Sequence, residues 1–454
     1  MEMPCIPPDV KDALSSKNGK LSLLSDGVIG YAQKFNEEYL HWDDIRYRDT
    51  GRIDPQLIWA AMKLSRENTV RKIDLAGLSI KYNLPERFLC ELQKIDVRSS
   101  SNFAPLDLVD EKRRAVYSVS SVMEESIASS QIEGAATTTK VAKTMLLENK
   151  HPKNKSEQMI LNNYNAMKFI KTQTDEPLSS ELIKSIHRII TADTIENEYV
   201  GKFRNDDSII VADALTGETF YEPVEHSRIS PMIKALCKFV NEDEPFIHPI
   251  VKGIIIHFAL AYIHPFQDGN GRVSRALFYW YTMKKGYKIM EYLSLSKSIK
   301  DHRGKYDRAY LLSETDGNDI TYFISYNLDM LGEALETFIS YLNRKLEEQT
   351  AVVDGIAGLD LNIRQKAIVS DMMRSNELIS VYSLSSRYQV SMNTARNDIS
   401  KLVSLGILKK DCCDVHRVLY RYAGKDLNEG LAEKSPSNKN NQNYEIFSLT
   451  YVSK

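Results

Sequence analysis

The fifteen residues 249–263 are apolar around almost their whole circumference, with Ile250, Ile254, Ile255, Ile256, Phe258, Leu260 and Tyr262 leaving no side suited to water. A helix with that pattern has to run through the middle of a domain. The pattern stops at His264-Pro265, passes through Asp268-Gly269-Asn270-Gly271, and resumes at 273–284. There, with no Gly or Pro, Val273, Leu277, Trp280 and Tyr281 recur at helical spacing. Two core helices joined by a short polar loop are therefore expected.

The loop has the makings of a site for a nucleotide triphosphate. Backbone N–H groups near Gly269, Asn270 and Gly271 stand at the start of the second helix, where four donors lack intrahelical partners and the dipole is positive. The two glycines allow close approach of an anion. Arg272 and Arg275, three residues apart, share a helical face and carry forked donors. Asp268 supplies a hard oxygen suited to magnesium shared with phosphates. His264, with an intrinsic pKa of about 6.5, can take a proton from an attacking hydroxyl near neutral pH. The chemistry implied is displacement at phosphorus with transfer to a hydroxyl. Taken singly each residue is as readily structural, and the fixed spacing of the set carries the reading.

His264 to Arg272 with Arg275 resembles, without departure, the H-P-F-x-D-G-N-G-R-x-x-R signature of Fic-domain proteins. The likeness spans about residues 106–344 and includes Gly201-Lys-Phe-Arg204. It implies an all-α bundle with the motif between two helices and a β-hairpin flap beside it. It also implies AMPylation: ATP and Mg2+ donate AMP to a Ser, Thr or Tyr hydroxyl of a target protein or of the chain itself, with release of pyrophosphate. By position, His264 is the general base and Asp268 the magnesium ligand. The ATP-binding set is Phe266 as apolar anchor, Gly269, Asn270 at the α-phosphate, Gly271, and Arg272 and Arg275 at the distal phosphates. A relative with kinase-like chemistry has lysine at one of the two glycine positions. Both are glycine here, which favours AMP transfer.

Upstream, Ser129-Ser130-Gln131-Ile132-Glu133-Gly134 closes a helical stretch expected over 106–132. Gly134 is a natural terminator, but Glu133 puts negative charge at the negative end of the helix dipole, against the local rule. The segment resembles the family's inhibitory motif (S/T)-x-x-x-E-(G/N), with Ser129, Glu133 and Gly134 in place. The resemblance implies that Glu133 pairs with Arg275 and denies it to the γ-phosphate. The same glutamate supports de-AMPylation in some relatives.

The other aromatic and histidine positions carry less. Tyr306 and Tyr310 have the i,i+4 spacing of core packing. His248 and His257 lie too far from His264, without converging acidic ligands, for a metal centre. The run 208–212 and 218–223 around a polar turn reads as the hairpin flap, an edge on which an extended target segment can pair.

With 454 residues, 43% hydrophobic and 26% charged, two or three domains are expected. Residues 1–105 read as an N-terminal helical or adaptor region, 106–344 as the Fic body, 345–360 as a linker and 426–454 as a disordered tail. Lys+Arg 59 against Asp+Glu 61 leaves no global field for nucleic acid or membrane. No stretch is long enough to span a bilayer, and five scattered cysteines without C-x-x-C spacing argue against a disulfide framework. A cytoplasmic location is the expectation, and homo-oligomerisation is open.

Residues 361–425 depart from that balance, with eleven basic side chains against five acidic ones, a net of +6. Helical runs at 363–374, 384–388 and 394–405, followed by 418–422 as an extended strand, resemble a winged helix-turn-helix. Asn393, Thr394, Arg396, Asn397 and Lys401 are the candidates for DNA contact. Asp398 falls among them, and protein docking stands as the alternative. A nucleotide-sensing DNA-binding regulator is thus the competing reading of the chain, and the retained His264 and Asp268 favour an enzyme.

Overall fold

The computed structural model describes residues 3–15, 23–99, 109, 111–212, 219–357, 361–375, 378–414 and 417–423. The chain forms two compact units, Met1–Leu342 and Asn343–Lys454. Both are dominated by helices, in keeping with the expected all-α class.

The first unit opens with helices α1 (Val10–Ser15), α2 (Asp26–Glu38), α3 (Trp42–Ile45) and α4 (Pro55–Glu67). Asp54 caps α4 by accepting from the Gln56 amide, with Pro55 in the first turn where no N–H is needed. Where a helical region is expected up to residue 105, β1 (Arg71–Leu75) and β2 (Leu78–Tyr82) form an antiparallel hairpin pairing Ile73 with Ile80. Its two-residue turn, Ala76-Gly77, has positive φ at both positions, which matches the twist of the strands. Alternation of buried Leu78, Ile80 and Tyr82 with exposed Ser79 is the period-2 signal of a half-buried strand. After α5 (Glu86–Ser99) come the elements that build the site.

Those are α6 (Glu111–Ile132), α7 (Thr139–Leu147), α8 (Lys155–Thr172) and α9 (Ser180–Thr191), then the short flap strands β3 (Val211–Ala212) and β4 (Thr219–Tyr221). Helices α10 (His226–Asn241), α11 (Pro249–Ile263), α12 (Asn270–Lys284), α13 (Leu295–Asp301), α14 (Arg303–Thr315) and α15 (Thr321–Ala357) follow. As the apolar run requires, Ile250, Ile254, Ile255, Ile256, Phe258 and Leu260 of α11 are fully buried, and α12 packs along it with Leu277 and Trp280 equally buried. Residues 106–108, the expected start of α6, and the flap turn 213–218 lie outside the described residues.

The N-terminal region is part of the same body. Buried Arg66 of α4 donates to the Tyr322 hydroxyl of α15 at 2.9 Å and to the Leu40 carbonyl at 2.8 Å, and its guanidinium lies 3.8 Å from the Tyr39 ring centre. Lys63 pairs with Asp316 at 2.9 Å. Strand β2 continues the link, because the Lys81 amide donates to the Asn318 carbonyl and the Ile320 amide to that of Lys81. Residues 345–360, expected as a linker, are helical as far as Ala357; 358–360 and the tail from 424 are outside the described residues.

The second unit holds α16 (Ile363–Ser375), α17 (Val381–Tyr388), α18 (Met392–Ser404) and an antiparallel pair, β5 (Leu408–Asp414) with β6 (Arg417–Tyr422). Ile379 bridges to Tyr420, giving the wing a third strand contact. Ile368, Met372, Leu384, Ile399, Leu402 and Leu408 form its core. Ser380 begins α17 in a capping box with Ser383, and Ser391 caps α18 by accepting from the Thr394 amide at 3.1 Å.

Candidate active site

The loop between α11 and α12 is closed by its own asparagine. The Asn270 side-chain oxygen accepts from the Phe266 amide at 2.9 Å while its NH2 donates to the Phe266 carbonyl at 2.8 Å. The oxygen and one N–H of that amide are thus turned back on Phe266, so the side chain shapes the loop, and the backbone N–H of Asn270 is the group left to face an anion. Phe266 is fully buried, stacked on His187 with ring centres 3.8 Å apart and planes at 5°. Its place in the nucleotide-binding set is accordingly that of an anchor and not of a contact.

Two residues outside the motif complete the frame. Arg204, buried, donates from its backbone N–H to the Pro265 carbonyl and from Nε to the His264 carbonyl, each at 2.9 Å, and also bonds Asp206, Asp207 and the Val224 carbonyl at the flap base. His187 bonds the Asp268 carbonyl through Nε2 at 2.9 Å and accepts the Gly201 amide at Nδ1 at 3.0 Å. Burial holds the His187 pKa down at about 4. In the sequence Arg204 falls within a recognisable motif, whereas His187 belongs to none. A lone histidine on the buried face of α9 offers no signal of its own.

With the loop carbonyls held from behind, the amides of Asn270, Gly271 and Arg272 begin α12 without a hydrogen-bond partner among the described residues. That is an anion cradle. Gly269 takes φ 86° before it, with the Thr191 methyl 3.0 Å from where a Cβ would stand. Arg272 is buried, paired with Asp268 at 3.1 Å and donating to the Ile190 carbonyl at 3.3 Å. The Asp268 side chain is 45% exposed, and one oxygen serves Arg272 and the Gly269 amide. No partner occupies its other oxygen among the described residues, which suits a divalent cation that takes one carboxylate and completes its shell with phosphate and water. No group of three or more His, Cys, Asp or Glu able to hold a metal alone exists among those residues.

Arg275 points elsewhere, toward α6. It is buried, and donates from Nε to the Ser129 hydroxyl at 2.9 Å and from Nη2 to the Ser129 carbonyl at 3.0 Å and Glu133 Oε1 at 2.9 Å. Gly134 ends α6 in a left-handed turn at φ 90°. The Ala135 amide donates back to the Ser130 carbonyl and that of Gly134 to the Gln131 carbonyl, a Schellman cap. The cap delivers the Glu133 carboxylate to the mouth of the cradle. A Cβ on Gly271 would lie 2.2 Å from Glu133 Oε1, so the second glycine of the loop is needed for this carboxylate to sit there. Burial works against ionisation of Glu133, but the attraction of Arg275 and Arg272 outweighs it and holds the carboxyl below its ordinary range.

His264 ends α11 at φ 51°. Its Nδ1 faces the Ala261 carbonyl at 3.3 Å. A carbonyl can only accept, so Nδ1 carries the proton and Nε2 keeps the lone pair. Burial lowers the His264 pKa, which leaves the ring neutral at neutral pH. His257 is buried against the Tyr306 hydroxyl at 3.0 Å, and Tyr310 stacks with Phe258. His248 caps α11 and meets Asp96 at 3.1 Å. These four take the packing roles expected of them.

In the second unit, Asn393, Arg396, Asn397 and Ser400 lie exposed on α18, with Thr394 and Lys401 half-buried. Asp398, expected within that face, is turned to the opposite side: it is 3% exposed and bonded by Arg364 at 2.6 Å and Gln365 at 2.8 Å. The helical period explains the correction, since Ala395, Asp398, Ile399 and Leu402 share the buried stripe. The outward face of the first two turns therefore carries no acidic side chain.

Comparison with known proteins identifies two domains in the chain. Residues 177–282 match the Fic/DOC family and residues 364–412 a DeoR-like helix-turn-helix domain. The chain is 32% identical over 114 residues to the protein adenylyltransferase Fic of Aedes aegypti, covering 24% of this chain and 21% of that protein. It is 25% identical over 240 residues to its Nematostella vectensis namesake, covering 49% and 52%. The chain thus spans about half or less of the length of these relatives. A Fic family protein from Desulfovibrio desulfuricans G20 shares the fold, with TM-score 0.52 and 17% identity over 74% of this chain and 94% of that one.

Proposed function

We propose that this chain, which carries a Fic domain and a helix-turn-helix, is a protein adenylyltransferase held in check by its own Glu133. The observation that supports this most is the carboxylate seated against Gly271 and paired with Arg275. An anion of the protein already occupies a cradle built for anions, next to a neutral histidine with a free lone pair. ATP binds with its phosphates along the amides of 270–272. The acceptor hydroxyl gives its proton to Nε2 of His264 as its oxygen bonds the α-phosphorus, and the bond to the β-bridging oxygen breaks to release pyrophosphate. Magnesium at Asp268 would neutralise phosphate charge. Phe266, Asn270, Arg204 and His187 fix the loop, and Arg272 and Arg275 receive the distal phosphates once Glu133 withdraws.

The target docks as an extended segment beside the flap at 208–223, whose Tyr221 hydroxyl donates to the Tyr262 carbonyl at the end of α11. Incubation with α-labelled and γ-labelled ATP tests the reading. Glu133→Gly should transfer α-label to protein, to itself or to a target, and His264→Ala in the same background should not. Retention of γ-label instead would point to phosphate transfer, and removal of AMP from a modified target as the main activity would favour the reverse reaction.

For the second unit, the absence of acid from the outward face of α18 favours duplex DNA, with Asn393, Arg396 and Asn397 toward base edges and Thr394 and Lys401 toward phosphates. The full chain should bind duplex with an affinity that falls steeply with salt, and Arg396→Ala should weaken it. Binding that ignores both would leave protein docking.

A further inference from the structure

The geometry points to His187 as the positioning residue that keeps the Asp268–Gly269 peptide turned so that the loop presents N–H groups, and not a carbonyl oxygen, to the bound anion. This rests on the nucleotide reading above.

Three of the loop's carbonyls are held by neighbours that could hardly release them. Arg204 takes those of His264 and Pro265, and Asn270 takes that of Phe266. The Asp268 carbonyl differs, because the peptide it belongs to ends in Gly269 at φ 86°. Rotation of a peptide before glycine meets little steric resistance, since glycine accepts either sign of φ. A flip would swing the Asp268 oxygen toward the cradle and place a negative dipole end where phosphate must sit. The 2.9 Å bond to His187 Nε2 opposes it from behind and is the one restraint on that oxygen, while the Gly269 amide at the other end of the peptide is held only by the half-exposed Asp268 carboxylate.

The imidazole suits that task. Its Nδ1 accepts the Gly201 amide at 3.0 Å, which obliges Nε2 to carry the proton and to donate toward Asp268. The ring is fully buried and stacked on Phe266, so neither its plane nor its reach is adjustable. One side chain thereby ties α9, the 201–204 segment and the loop together. A phenylalanine would keep the stack and lose both hydrogen bonds. Glutamine could restore both, since an amide also sets a donor and an acceptor side by side.

The test uses the full chain in the Glu133→Gly background. His187→Phe should weaken ATP about tenfold or more, read as a raised KM and a raised Kd for ATP in the presence of magnesium, roughly what one lost hydrogen bond and an adverse carbonyl would do. His187→Gln should recover most of the loss at a similar melting temperature. An unchanged KM in a folded His187→Phe protein overturns the proposal. So does a 15N spectrum of the wild-type protein at neutral pH showing His187 protonated at Nδ1, a readout that needs no variant to fold. If the Glu133→Gly parent itself neither binds ATP nor transfers AMP, it is the enzyme reading that fails, and the tautomer measurement still judges His187.

Discussion

The loop at 264–272 and the end of α6 at 129–134 lie against each other, yet they are held in opposite ways. In the loop, backbone groups are tied by buried partners: Asn270 closes it, and Arg204 and His187 brace it from behind. Glu133 has 29% of its side chain exposed and sits one residue before the glycine that ends its helix. Ser129 and Ser130 are held by buried bonds to Arg275 and the Met159 carbonyl, but beyond them the contacts are at the surface, with Arg303 donating to the Ile132 carbonyl and Lys300 to the Gln131 side chain. Buried hydrogen bonds whose loss strands a peptide group are costly to break, whereas exposed ones exchange with water at little cost. One region is built to persist and the other to let go.

Breaking the loop should have the largest effect. Asn270→Ala strands a buried amide and a buried carbonyl, so it should cost about 2–5 kcal/mol of stability and abolish AMP transfer even in the Glu133→Gly background; calorimetric melting with an α-label assay reads both. Breaking the brake should act in the other direction. Glu133→Gln keeps the shape and removes the charge, and should raise basal labelling about tenfold, the effect of roughly 1.4 kcal/mol of differential binding, while leaving the melting temperature within a few degrees. If it leaves labelling unchanged, the two regions do not communicate through charge.

The pH response sharpens the contrast. The Glu133 pKa is depressed in the folded protein, so its pairing is complete above the ordinary carboxyl value of 4.5 and is lost only as pH falls through the lower folded value. The ratio of Glu133→Gly to wild-type activity should thus be flat from about pH 6 to 8. On the proposed mechanism His264 is the base, neutral above its lowered pKa, so the acid limb of the rate profile should fall below pH 6.5. A limb above that value would contradict the buried geometry. The smallest effect expected is that of Arg303→Ala, a two- to threefold rise in basal labelling at roughly 0.5 kcal/mol, since the exposed bond to the Ile132 carbonyl and a part-exposed ion pair with Asp307 are removed.

Much of this was legible in the chain because its signals are local. The apolar circumference of 249–263 dictated a buried helix, and glycine spacing after it dictated a cradle at the start of the next. What escaped the reading depends on which neighbour arrives. Asn270 is a phosphate-binding candidate by its place in the motif, and only the fold reveals that its side-chain amide turns back on Phe266. His187 is 77 positions from His264 in sequence, and nothing in Ser185-Ile-His-Arg foretells a partner in Gly201 or Asp268. Asp398 was misplaced for a simpler reason: within a run of polar residues the helical stripe was not followed one step further to Ala395, Ile399 and Leu402. The hairpin at 71–82 is hard to read from sequence because its strands are only five residues long and lie between two helical patterns.

On the proposed reading, the pairing of Glu133 with Arg275 would make nucleotide affinity a property of the helix end as much as of the loop. If Glu133 is withdrawn in one molecule in a hundred, ATP binds about a hundredfold more weakly than the open cradle would allow. Linkage runs both ways: a protein that grips residues 130–136 and draws the carboxylate aside raises ATP affinity, and saturating ATP raises affinity for that protein by the same factor. The concentration of nucleotide and that of such a partner are then interchangeable inputs to a single arginine.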